Sequence, residues 1–265
     1  MTNIKTIKLG TQKLRIENLM TWAGDSSFHF ELDGSAKERI QNHRILVEHV
    51  IKHEKVVYGI NTGFGLMSDV NIPSDQLSQL QVNLIRSHAA GMGDLINETQ
   101  TRALMILKAH SLCTGLSGVR QELVDHLIVM LNHGIYPCIP SQGSVGASGD
   151  LAPLAHMALG MIGEGRVSYK GQIVDASVAF ETVAIKPLEL AAKEGLSLIN
   201  GTQFLTVLAA EALQHAQYLL RSSNIIAALS LEACRGTLSA FDERIHKVRN
   251  QLGQIEVAQQ IRDLH

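Results

Sequence analysis

The chain has 265 residues, 45% of them hydrophobic and 18% charged, with a net charge of −2. Mean hydropathy is +0.09 and the pI is about 6.6. That is enough apolar residue for one large core or two small ones, and the charge balance argues against nucleic acid or an anionic membrane as partner. No apolar run approaches the roughly 18 residues of a membrane span, and the first five residues lack the apolar core of a secretory signal. The three cysteines, Cys113, Cys138 and Cys234, are an odd set without metal-ligand spacing,. They fit a reducing cytoplasm, which is the expected location.

In chain order, residues 4–16 alternate weakly around Gly10-Thr11 and suggest a hairpin,. Ser35-Ala36-Lys37-Glu38 has the pattern of a capping box and opens a helix to about Lys52,. A second helix starts near Ser74, after Pro73, with Leu77, Leu80, Leu84, Ile85 and His88 on one stripe,. Asn97 caps a third helix reaching Cys113, and a fourth covers 119–133 before Gly134,. A helix begins near Asp150, with Pro153 in its first turn,. Residues 167–169 and 172–174 flank Lys170-Gly171 as a small hairpin,. From Leu188 the pattern is helical, with apolar segments at 202–220 and 224–240 and an interruption at Gly253. The expected fold class is mostly α: an N-terminal α-rich domain with small β-hairpins, residues 1–195, leading into part of a long-helix bundle, 196–265.

The most informative stretch is Gly143-Ser144-Val145-Gly146-Ala147-Ser148-Gly149-Asp150. The amide nitrogen of Gly149 can attack the carbonyl carbon of Ala147. Loss of that oxygen as water closes a five-membered ring, and loss of the Ser148 hydroxyl leaves an exocyclic methylene. The product is a methylidene-imidazolone, an electrophile that no ordinary side chain supplies. Gly149 suits the attack because it lacks a Cβ, and the neighbouring glycines permit a strained backbone. The helix after Asp150 would point its free N–H groups and positive dipole end at the ring. A lone Ala-Ser-Gly is ordinarily a turn. Asp150 by itself reads as a helix cap.

With Leu151-Ala152-Pro153-Leu154-Ala155-His156-Met157-Ala158-Leu159, this stretch resembles the signature of the aromatic amino acid ammonia-lyase and aminomutase family. Two further blocks agree. Tyr58-Gly59-Ile60-Asn61-Thr62-Gly63-Phe64-Gly65 resembles the family's catalytic-tyrosine loop. Tyr58 then falls on the proton-transfer position, where its phenol needs a lowered pKa to act as a base. Glu194 to Gln203 resembles the block whose asparagine, here Asn200, hydrogen-bonds near the electrophile. Outside the resemblance, Tyr58 reads as a packing residue and Asn200 as a turn or cap residue.

Arg86-Ser87-His88-Ala89-Ala90-Gly91 resembles the family's substrate-selectivity segment and assigns His88 to the polar edge of the substrate ring. A lone histidine on an apolar stripe is otherwise a core residue. Asn61 and His88 lean toward the histidine-deaminating branch. The resemblance therefore implies elimination of ammonia from L-histidine to give trans-urocanate, with catalytic Tyr58, Ala147, Ser148, Gly149 and Asn200 and substrate-binding His88. It also implies a self-formed cofactor, no metal, no external cofactor, a small-molecule amino acid as substrate and a homotetramer. Tyrosine deamination or tyrosine aminomutation fits the same residues. A non-catalytic fragment or half of a split enzyme is the rival from another class. The helical pattern at 255–264 runs on without a stop, so the expectation is a truncated chain covering the first half of the family pattern, with the carboxylate-binding groups elsewhere. His49 and His53 at i and i+4 lack a third ligand and read as a solvated face, and His156 has no assigned chemistry.

Overall fold

The computed structural model describes residues 5–11, 13–145 and 149–265. Strand β1 (Lys5–Leu9) pairs in parallel with β2 (Phe28–Leu32), Lys5 opposite Phe28 and Leu9 opposite Leu32. The expected hairpin at 4–16 therefore does not form. Parallel strands need a crossover, and helix α1 (Ile16–Gly24) provides it, burying Leu19, Met20, Trp22 and Ala23.

Helix α2 (Gly34–Lys52) is capped by Asp33, whose carboxylate accepts the Ser35 N–H at 2.9 Å. The helix thus starts ahead of the expected Ser35 box, and Ser35 donates to the cap instead of being it. After Pro73 a 3-10 turn (Ser74–Gln76) leads into α3 (Leu77–His88), which buries Leu77, Gln81, Leu84 and Ile85. Strand β3 (Met92–Leu95) follows, then α4 (Glu98–Leu112), where Asn97 and Gln100 form a reciprocal capping box. Helix α5 (Gln121–His133) stops at Gly134, whose φ of +66° is the left-handed turn that glycine accepts most readily,.

Strands β4 (Ile135–Pro137) and β5 (Pro140–Gln142) come next, and β5 pairs antiparallel with β3. Helix α6 (Leu151–Met161) starts directly after Asp150. Strands β6 (Arg166–Tyr169) and β7 (Gln172–Asp175) form the expected hairpin, with Lys170 and Gly171 both at positive φ, and β4 pairs on the other edge of β6. Helix α7 (Ala176–Val183) and a short α8 (Glu194–Ile199) precede α9 (Gln203–Ala233). A 3-10 turn (Leu238–Phe241), α10 (Glu243–Arg249) and α11 (Leu252–Leu264) complete the chain.

The fold is mostly helical, as expected. Two details of the last third differ from the sequence reading. Residues 203–233 form one continuous helix where two segments were expected. The break expected at Gly253 falls at Asn250, which takes φ +51°, while Gly253 sits inside α11.

The chain divides into two compact units, Met1–Ala209 and Ala210–His265. This division lies inside α9, beyond the 195/196 boundary read from the sequence, because Phe204 and Val207 are buried in the core of the first unit. In that unit α4 is buried on nearly every face, with Ala103, Leu104, Met105 and Ile106 all at zero exposure. Burying each of the Leu, Met and Ile side chains contributes roughly 1.5–3 kcal/mol. Helix α4 packs against α1 and α5, while α3, α6 and α8 pack on one another.

In the second unit Asn224 donates to Gln260 at 2.6 Å, beside buried Ala228, Ala258 and Ile261. Leu213, Leu219, Ile225, Ile226 and Leu229 stay exposed. The stretch Glu194–Ala233 contains an 18-residue window of mean hydropathy 1.3, of which 28% is buried. By length and composition alone it is apolar enough to cross a bilayer, which corrects the expectation that no apolar run approaches that length. Polar residues such as Glu211, Gln214 and Arg221 interrupt the run without lowering the average far.

Candidate active site

Ala147 and Ser148 lie outside the described residues; Gly149 is the described end of that tripeptide. Gly149 takes φ +114°, and a Cβ on it would stand 2.2 Å from the carbonyl oxygen of Gly201. Real Cβ atoms do not come so close to an oxygen, and an L residue rarely adopts that φ. Only glycine fits. Gly143, at the other end of the loop, takes φ +137°, and a Cβ there would meet the Gly91 Cα at 3.1 Å. The described ends of the loop are therefore clasped by the segments that follow His88 and Asn200.

Asp150 does more than end a helix. Its backbone N–H donates to the Gly201 carbonyl at 2.7 Å. Its carboxylate accepts the Ser144 hydroxyl at 2.6 Å and the Leu205 N–H at 2.9 Å. No side-chain cap bond to α6 is formed, so the cap reading of this carboxylate is corrected. The buried carboxylate (2% exposed) instead occupies the first turn of α9, where N–H groups lack helical partners,. The chain at Gly149-Asp150 thus meets the N-terminal ends of both α6 and α9.

His88 closes α3. Its Nδ1 lies 2.8 Å from the Leu84 carbonyl. A carbonyl only accepts, so Nδ1 carries the proton and, in the neutral ring, Nε2 is left as an acceptor. The ring is half-buried. This arrangement fixes the ring at the end of the helix with its other nitrogen available. His156, which had no assigned role, accepts the Gly91 N–H on Nε2 at 3.0 Å. Burial pushes its pKa down and so favours the neutral ring that this bond requires,.

The tyrosine loop is braced from within. Buried Asn61 accepts the Val57 N–H and donates to the Lys55 carbonyl, both at 2.9 Å. Residues 55–57 consequently form no strand. Gly59 takes φ +78°, and a Cβ there would press on Leu196 Cδ2 at 2.7 Å, so the loop lies against α8. Tyr58 is 59% exposed, with its ring edge-on to Phe64 at 6.3 Å between centroids. The loop backbone at Gly59 thus approaches α8 closely.

Asn200 caps the C-terminal end of α8 and is exposed, leaving its amide accessible. Buried partners set the helix in place. Glu194, at zero exposure, accepts the backbone and guanidinium N–H groups of Arg120 and the Ala191 N–H at 2.8–3.0 Å. Gln81 accepts the Leu196 N–H at 3.2 Å. Lys108 donates to the Asn200 carbonyl at 3.3 Å. Sequence reasoning missed all three, although Lys108 stands out as the one charged residue in Leu104-Met105-Ile106-Leu107-Lys108-Ala109.

Backbone contacts therefore bring together the blocks carrying Tyr58, His88, Gly149 and Asn200, all within the first unit. Among the described residues no group of acids, histidines and cysteines is arranged to hold a metal ion.

The sequence profile of the aromatic amino acid lyase family matches residues 14–265. The chain is 46% identical over 250 residues to histidine ammonia-lyase of Idiomarina loihiensis, covering 94% of this chain and 49% of that protein. It superposes on histidine ammonia-lyase from Trypanosoma cruzi with a TM-score of 0.90 at 38% identity, over 97% of this chain and 50% of the other. Tyrosine aminomutase from Streptomyces globisporus gives 0.89 at 34% identity, over 97% and 49%. The chain spans about half the length of the curated relatives it matches.

Proposed function

Because the chain belongs to the aromatic amino acid lyase family, we propose that it supplies the electrophile-bearing part of a histidine ammonia-lyase, which converts L-histidine to trans-urocanate and ammonia. The observation that carries this reading is the seat of Gly149 on Gly201, where no side chain fits. A cyclisation whose nucleophile is the Gly149 nitrogen needs a glycine held in such a conformation.

Ala147, Ser148 and Gly149 would form a methylidene-imidazolone by loss of two waters, and the conformation of Gly149, the described member of the three, supports that reading. That group supplies an electrophilic methylene able to take up an amine, without nicotinamide, pyridoxal phosphate or a metal. The remaining work falls to ordinary side chains. Asp150 holds the loop against the first turn of α9. The Nε2 of His88 accepts a hydrogen bond from the substrate imidazole. Tyr58 removes a proton from the substrate β-carbon, a weak acid, so base and C–H bond must be aligned. Asn200 hydrogen-bonds beside the electrophile. The active assembly is a cytoplasmic homotetramer, whose other segments hold the substrate carboxylate and cover the apolar face of α9.

A second reading has specific support. A Nε2 acceptor on His88 suits a phenol O–H as well as an imidazole N–H, and a tyrosine aminomutase is among the similar structures. One experiment separates the readings: intact mass for the loss of two waters, then incubation of the assembled enzyme with L-histidine or L-tyrosine. Urocanate supports the first reading. Coumarate or β-tyrosine supports the second. An uncyclised, inactive protein defeats both and leaves a non-catalytic chain.

A further inference from the structure

The peptide of Asn200 is held by a residue to which the chemistry above gives no part. Lys108 is 2% exposed and lies in the apolar body of α4. Its ammonium donates to the Asn200 carbonyl at 3.3 Å. Burial pushes its pKa down to about 7, and no carboxylate offsets that shift. Placing an ammonium there costs stability that a methionine of similar length would not. The placement has a consequence, however. The Asn200 carbonyl belongs to the unpaired C-terminal end of α8, which a cation complements. The next residue is Gly201, the seat of Gly149 and the acceptor for the Asp150 N–H.

We propose that Lys108 is a positioning residue of the electrophile site, fixing the Asn200–Gly201 peptide and through it both the Asn200 amide and the seat of Gly149. The proposal rests on the function proposed above.

The test compares Lys108→Met and Lys108→Arg in the assembled enzyme containing this chain. Lys108→Met should fold and melt at or above the wild-type temperature. Its kcat should fall by about tenfold or more with KM within about threefold, the pattern of a lost transition-state alignment. Amide hydrogens of residues 199–205 should exchange about tenfold faster, with exchange across α4 unchanged. Lys108→Arg retains a charged donor and should recover kcat to within about threefold of wild type. Lys108→Met with wild-type kcat and exchange would overturn the proposal. So would an arginine variant no better than the methionine one, or failure of both to fold, which would make Lys108 a purely structural residue. If the wild-type assembly releases no ammonia from any aromatic amino acid, the proposed function fails, while the exchange comparison still decides the role of Lys108.

Discussion

Gly149 rests on the carbonyl of Gly201 so closely that a methyl group on its Cα would stand 2.2 Å from that oxygen. The contact and the φ of +114° exclude a side chain independently. Gly149→Ala is therefore expected to lose stability by at least about 1–3 kcal/mol, the usual cost of a backbone held in a rarely populated region. It should also retain the mass of both waters. A variant that melts like wild type and still loses two waters would show that the seat imposes no constraint.

Ser148 is the proposed source of the methylene. In the assembled enzyme, Ser148→Ala should leave melting unchanged, have no hydroxyl to shed as the second water and lose nearly all turnover. A rate within about tenfold of wild type, equivalent to about 1.4 kcal/mol in barrier, contradicts the proposed source.

With Nδ1 committed to the Leu84 carbonyl, His88 presents Nε2 as its remaining polar atom. His88→Phe should lower kcat/KM for histidine by roughly a hundredfold or more relative to phenylalanine. A site that hydrogen-bonds a substrate group discriminates more strongly than one that only fits its shape. An unchanged ratio of the two specificity constants returns His88 to an ordinary helix-end histidine.

These positions show what the sequence could and could not disclose. Local signals were legible: the Asn97 cap, the Gly134 stop and the Lys170-Gly171 turn each depend on a few adjacent residues. The motif blocks were legible because their chemistry is written in consecutive residues. Long-range choices were not. Nothing near Lys5 reveals that its strand pairs in parallel with Phe28 rather than folding back on itself. Nothing near Asp150 reveals that its carboxylate reaches Leu205. Lys108 was visible as a misplaced charge, but its partner lies 92 residues away.

Lys108 also makes a pH prediction. Its pKa falls from 10.5 in the unfolded reference to about 7 in the folded chain. Above pH 10.5 the amine is neutral in both states and costs nothing as a charge. As pH falls from 10.5 to 7, the unfolded state takes up a proton that the folded state resists, so stability drops. Below 7 the penalty is constant. The melting advantage of Lys108→Met should therefore grow from pH 10 to pH 7 and then level off. It should reach several degrees, since about 1 kcal/mol moves Tm by roughly 2–4 °C in a chain of this size. A difference independent of pH would place the folded pKa elsewhere.

The exposed apolar residues of α9 give a prediction about the 265-residue chain by itself. Leu213, Leu219, Ile225, Ile226 and Leu229 exceed what a soluble monomer usually leaves bare,. Purified alone, the chain should self-associate on size-exclusion chromatography and form no urocanate from L-histidine. A monodisperse monomer contradicts the first expectation, and urocanate at ordinary enzyme rates contradicts the second.

On the proposed function, the bond from the Asp150 carboxylate to the Leu205 N–H sets a clock on maturation. A ribosome delivers residues 147–149 long before 201–205, adding roughly 5–20 residues per second. During that interval neither the Gly201 seat nor the α9 turn exists. Until they form, nothing holds Gly149 at its φ of +114°. The proposed ring closure is therefore expected to follow folding of the first unit through the start of α9. A chain released before residue 205 would carry all three residues of the proposed ring and is expected to keep the mass of both waters.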